Sequence, residues 1–172
     1  EALRTALRLG DGALVVGEVR GEEATTLYEA MRVGAASNAV LGTIHGDGAQ
    51  SVLERVVTDL GVPASSFAAT DLLVTLSAGE RRRVAGIEEV RCADGEVAFE
   101  SLFERSPDGT EPTGTVERGN SHLVASLARP DESYADVLAA LDDRETVLSE
   151  LAESERTAAA EVDAAHRRRV TE

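Results

Sequence analysis

Three features of the chain predict an α/β fold with a mostly parallel sheet, flanking helices, a β-hairpin and C-terminal helices. Short apolar runs (Ala13 to Val16, Ala39 to Ile44, Leu72 to Leu76) alternate with stretches of helical period over residues 1–78. Glycine follows the first run and stands next to the polar end of the second, as expected where buried strands turn. The first two runs also end on polar side chains, Glu18 and His45. In an open α/β sheet that edge is where ligands bind.

Residues 1–9 place Leu3 and Leu7 four apart and predict a short helix. The run Ala13-Leu14-Val15-Val16 predicts a strand buried on both faces. Glu22 to Val33 predicts a helix with Leu27, Ala30 and Met31 inward and Gly34 as its stop. Residues 39–45 form the second buried strand, followed by the turn Gly46-Asp47-Gly48. Residues 49–60 predict a helix with an inner stripe of Val52, Val56, Val57 and Leu60, ended by Gly61 and Pro63. Leu72 to Leu76 is the third apolar run.

Beyond Gly79 the period changes to two. Residues 82–91 and 97–103 predict a hairpin about the turn Ala93-Asp94-Gly95-Glu96. Residues 106–120 are polar and predict a loop or linker. Ser133 caps a helix carrying Val137, Leu138 and Leu141. A last helix is expected from Asp142 or Asp143, with Val147, Leu148 and Leu151 inward, running through an alanine-rich stretch to Arg167-Arg168-Arg169.

The 172 residues carry a formal charge of −15 and a hydrophobic content of 42%, enough apolar material for a core and too much for an acidic disordered tail. All 17 basic residues are arginine. Acid excess is a device of salt-loving proteins, whose self-repulsion is screened at high ionic strength. A halophilic source is expected, an ordinary acidic protein being the alternative. Direct nucleic-acid binding is not expected, because phosphate neutralisation needs clustered cations. The single Cys92 allows no internal disulfide. No run reaches the roughly 18 apolar residues that span a bilayer. The chain begins at Glu1 and not Met, which suggests a piece of a longer protein.

Glu18, Arg20 and His45 are the candidate functional residues. Alone, a glutamate after an apolar run is common at strand ends, and a histidine there is often a turn residue. Together, if the two strands are neighbours, they stand on one sheet edge. Arg81-Arg82-Arg83 and Arg167-Arg168-Arg169 read as solvated ends of elements.

Gly17-Glu18-Val19-Arg20-Gly21-Glu22-Glu23-Ala24 and Leu41-Gly42-Thr43-Ile44-His45-Gly46-Asp47 resemble the Walker B and histidine boxes of the type II/IV secretion-system ATPases. Ala30 to Asn38 and Arg55 to Pro63 resemble the archaeal, and given the acidity the haloarchaeal, members. Ala2-Leu3-Arg4 and Ala6-Leu7-Arg8 resemble the helix preceding Walker B there. The resemblance implies the C-terminal part of a RecA-like P-loop ATPase domain. It implies that Glu18 orients the attacking water and holds Mg²⁺ through a water, as a hard hydrated cation favours. It implies that His45 couples the nucleotide's state to subunit motion, and that Arg20 orders the turn or pairs across subunits. ATP and Mg²⁺ are the implied cofactors. The implied partners are a homohexamer of the full-length chain and a polytopic membrane platform protein, at the cytoplasmic face of the cell membrane.

The sequence departs from that family in having no G-x-x-x-x-G-K-[ST] motif and no lysine to serve in one. The expected organisation is a partial ATPase core over 1–78, a hairpin and polar loop over 79–130, and a helical appendage over 131–172. The implied activity is ATP hydrolysis driving pilus or archaellum assembly or secretion. The alternative is a truncated or split paralogue that hydrolyses nothing and serves as a binding or assembly module.

Overall fold

The first two apolar runs pair side by side, and the third does not join them. In the computed structural model, which describes residues 13–33, 39–78, 82–107 and 109–171, β1 (Leu14–Val16) and β2 (Val40–Gly42) form a two-stranded parallel pair. The register is Leu14 opposite Val40 and Val16 opposite Gly42. Between them runs helix α1 (Glu23–Val33). The helix expected over 1–9 and the small-residue segment 34–38 lie outside the described residues.

After β2 come α2 (Ala49–Glu54), a π-helical turn over Arg55–Asp59, and the short α3 (Ala64–Phe67). The single helix expected over 49–60 is therefore interrupted. The Leu60 N–H donates to the Arg55 carbonyl five residues back. Gly61, in the left-handed region at φ 68°, lets the Val62 N–H reach the Val56 carbonyl and stop the helix.

The third run is β3 (Leu72–Ala78). It pairs antiparallel with β4 (Arg82–Ala93), which pairs with β5 (Glu96–Ser106), which pairs with β6 (Gly109–Pro112). The mostly parallel sheet is thus corrected to a parallel pair and a separate four-stranded antiparallel sheet. An apolar run specifies a buried strand without specifying its partner, and β3 finds its hydrogen bonds on the long hairpin strand β4. That hairpin turns where expected, Asp94 and Gly95 both having positive φ (53° and 84°). The polar segment 106–120 contributes β6 and then folds back. The Thr113 hydroxyl donates to the Ser101 carbonyl at 2.7 Å, and the Thr115 hydroxyl to Glu100 at 3.1 Å.

One helical layer packs under the inner faces of both sheets. Ala24, Leu27 and Tyr28 of α1, Val52, Val56, Val62 and Phe67 are buried together. Leu14, Val16, Val40 and Ile44 from the parallel pair pack on this cluster, as do Leu73, Val90, Val97 and Phe99 from the antiparallel sheet. Phe67 stacks on Tyr28 at 5.7 Å and meets Phe99 edge-on at 6.3 Å. Burial of β1 and β2 on both faces is not found. Val15 is 70% and Leu41 57% exposed, because none of the described elements covers their outer face.

The contacts divide the chain into units Glu1–Leu123 and Val124–Glu172, the division falling within α4 (His122–Leu127). The second unit holds α5 (Tyr134–Glu153) and α6 (Ala159–Thr171). The helix break expected at Asp142 is absent: α5 runs unbroken through Asp142 and Asp143. Its start is fixed by a capping box, the Ser133 hydroxyl accepting from the Asp136 N–H while Asp136 accepts from the Ser133 N–H at 2.7 Å.

Candidate functional site

Glu18, Arg20 and His45 meet at the C-terminal end of the parallel pair. Beyond β1 and β2 the chains stay bonded. The Thr43 N–H donates to the Val16 carbonyl and the Val19 N–H to the Thr43 carbonyl, at 3.3 and 2.8 Å. The Thr43 hydroxyl closes on the Gly17 carbonyl at 2.5 Å. This cross-strand lacing carries the two polar side chains out together. His45 Nε2 lies 3.1 Å from Glu18 Oε1, and the Arg20 guanidinium sits on the same carboxylate oxygen.

The turn after Glu18 is held by Glu23, which the helical period over Glu22 to Val33 does not single out. Its carboxylate accepts from the Arg20 and Gly21 N–H groups at 2.7 and 3.0 Å, capping the entry to α1. Those bonds hold the Glu23 carboxyl below its ordinary range. Glu18 is likewise held below the ordinary range, first by Arg20, with His45 and Arg55 adding positive charge nearby and partial burial opposing them. It is ionised at neutral pH.

Gly46, next to His45, is required by space. A β-carbon there would stand 2.6 Å from the branched end of Val52. The following helix is tied to the antiparallel sheet, since the Ala49 N–H donates to Glu88 at 3.0 Å. His45 opens onto a cleft of about 1020 Å³ whose lining includes Asp47, Ser51, Glu54, Arg55 and Arg105.

This arrangement offers an ionised carboxylate, an imidazole and a guanidinium in contact on one strand edge. The carboxylate suits a hydrated divalent cation or a water that must lose a proton. Among the described residues no group of three or more His, Cys, Asp and Glu side chains is placed to hold a metal ion unaided. The residues present fit the metal-and-water side of a nucleotide site. They do not supply a phosphate cradle.

A second polar centre lies on the antiparallel sheet and was missed in the sequence, where Glu89 reads as one alternating residue of a hairpin. Glu89 is 1% exposed. It accepts from the Ser121 hydroxyl at 2.5 Å, the His122 N–H at 3.0 Å and Arg91 Nε at 2.8 Å. Burial pushes its carboxyl up, but the Ser121 and Arg91 donors and the Leu123 and His122 amides together hold it below the ordinary range. Arg91 also reaches Glu100 at 3.2 Å and the Asn120 carbonyl at 2.6 Å. The cluster pins the returning segment 113–122 onto the sheet.

Fold and site define an α/β protein with an acid–imidazole–guanidinium group on the edge of a parallel strand pair. The chain matches the family "Type II/IV secretion system protein" over residues 1–169 and belongs to that family. Uncharacterized protein MJ0900 of Methanocaldococcus jannaschii is 30% identical over 146 residues, which is 79% of this chain and 26% of that protein. Uncharacterized protein MJ1287 of the same organism is 41% identical over 56 residues, 33% of this chain and 20% of that protein. The chain spans about a quarter or less of the length of these relatives.

Proposed function

We propose that the chain is the Walker B and histidine-box portion of a secretion-superfamily motor ATPase of the archaeal, haloarchaeal branch. One observation carries this: Glu18 and His45, the residues that match those boxes, stand 3.1 Å apart at the ends of adjacent parallel strands. In this reading Glu18 takes a proton from, and orients, the attacking water. His45 shares that carboxylate and hands the state of the site to the cleft beyond. Arg20 keeps Glu18 ionised and orders the turn. Bound Mg-ATP supplies the phosphoryl group and the charge that the metal neutralises.

The phosphate-binding loop then belongs to a part of the protein outside these residues. The full-length protein works as a homohexamer on a polytopic membrane platform at the cytoplasmic face, driving pilus or archaellum assembly or secretion. Among the described residues no helix is long and apolar enough to cross a membrane. The test is Glu18→Gln in the full-length protein. Turnover of Mg-ATP falls by about 10²-fold or more, as for a positioned acid–base group, while nucleotide affinity is kept. A loss below about tenfold excludes the water-orienting role.

The second reading is a split paralogue acting as a binding or assembly module; these residues carry no G-x-x-x-x-G-K-[ST] motif and no lysine. Mg-ATP binding by the full-length protein separates the two: the module binds none.

A further inference from the structure

His45 is held mainly through its backbone. Its side chain is 74% exposed, so packing does little to fix the imidazole. The 3.1 Å approach to Glu18 is then set by where the turn over 45–48 carries the histidine. Some anchors of that turn are local. Gly46 lies so close to Val52 that a β-carbon would not fit, and the Asp47 N–H donates to the Ser51 hydroxyl at 3.4 Å. These contacts stay within residues 46–52 and move with them. The bond from the Ala49 N–H to Glu88, at 3.0 Å, ties the segment to a different part of the fold.

Gly48 explains why a distant residue serves. It occupies the N-cap of α2 at φ 129°, a conformation in which a side chain is strained, and it has no side chain to accept from the first free N–H groups. Glu88 supplies the acceptor from β4, 39 residues beyond Ala49. Its register partner Leu73, and Val90 two residues on, both pack on the buried cluster. Glu88 therefore stands on the inner face of the antiparallel sheet, while Glu89 points the other way under the returning segment.

We propose that Glu88 is a positioning residue for the candidate site: by capping α2 from β4 it holds the turn that carries His45, and so sets the contact between His45 and Glu18. The antiparallel sheet is thereby part of the site's support. The consequence for turnover rests on the reading of Glu18 and His45 as a hydrolytic site; the placing of the imidazole does not.

Glu88→Ala and Glu88→Gln in the full-length protein test it. Glutamine keeps an acceptor oxygen and loses the charge, so it separates capping from electrostatics. In Glu88→Ala the Ala49 amide exchanges about tenfold faster. The His45 imidazole carbon–proton resonance, recorded at fixed pH, moves from its wild-type position. Turnover of Mg-ATP falls about tenfold in kcat with KM kept, as for a misplaced group in a reaction site. Glu88→Gln restores the resonance and brings kcat to within about twofold of wild type. A His45 resonance in Glu88→Ala that overlays the wild type overturns the proposal, whatever the urea midpoint does. So does a Glu88→Gln protein that behaves as Glu88→Ala, since charge and not the cap is then responsible, and so does an unchanged kcat in Glu88→Ala. If the wild-type protein hydrolyses no ATP, the functional reading fails by itself, and the His45 resonance still decides the role of Glu88.

Discussion

The Glu18 carboxylate is shared between Arg20 and His45, while Glu23 holds the connecting turn by its backbone. Glu89 does a different job with the same functional group, since it is buried and takes up donors from a returning segment of the chain. Removing it takes a buried acceptor away from Ser121, the His122 N–H and Arg91, so Glu89→Ala lowers unfolding free energy by on the order of 2–3 kcal/mol, read from urea midpoints. Glu18, Glu23, Glu89 and Asp136 all have carboxyl groups held below their unfolded values. Their contributions are complete above the unfolded values of about 4 and are lost as pH falls through the lower folded values. Urea midpoints measured down a pH series therefore decline below about pH 4. Glu89→Gln flattens that acid limb. A wild-type decline that begins near pH 6 excludes these carboxylates as its source.

At the scale of elements, helix ends followed local chemistry closely. Ser133 with Asp136 starts α5, and Gly61 ends the helical segment before it. Ser133→Ala costs about 1 kcal/mol and frays the first turn, seen as faster amide exchange at Tyr134 to Val137 with the rest of α5 unchanged. Helix interiors were less legible. Asp142-Asp143 suggests a boundary by composition, yet α5 crosses it because no proline or left-handed residue stops the backbone there. The π turn at 55–59 leaves no sequence mark, since a π turn arises from how a helix seats on its neighbours. β6 was hidden in a polar segment because edge strands carry polar residues.

For the whole molecule, both sheets rest on one helical layer, while the opposite faces leave Val15, Leu41, Val74 and Leu76 open. Apolar surface of this kind is typical of interaction surfaces, and the matched residues make up 26% and 20% of the two relatives. The acid excess acts at the same scale. Raising NaCl from about 0.1 M to 2 M screens charges beyond a few ångström and raises the melting temperature, traced by circular dichroism. A melting temperature that falls with salt removes the halophilic reading.

The sequence alone determined the parts that depend on near neighbours: the α/β class, α1, the Asp94-Gly95 turn, the Ser133 cap, and the placing of Glu18 and His45 at the ends of linked strands. Those rest on period, turn chemistry and capping, which a few adjacent residues decide. Only the tertiary structure decided that β3 pairs with the hairpin and not with β2, that Glu89 is buried under a returning loop, and that Glu23 shapes the site's turn. Strand partners, and the burial of a charged side chain, depend on groups brought from tens of residues away, and an apolar run carries no record of which edge it will meet.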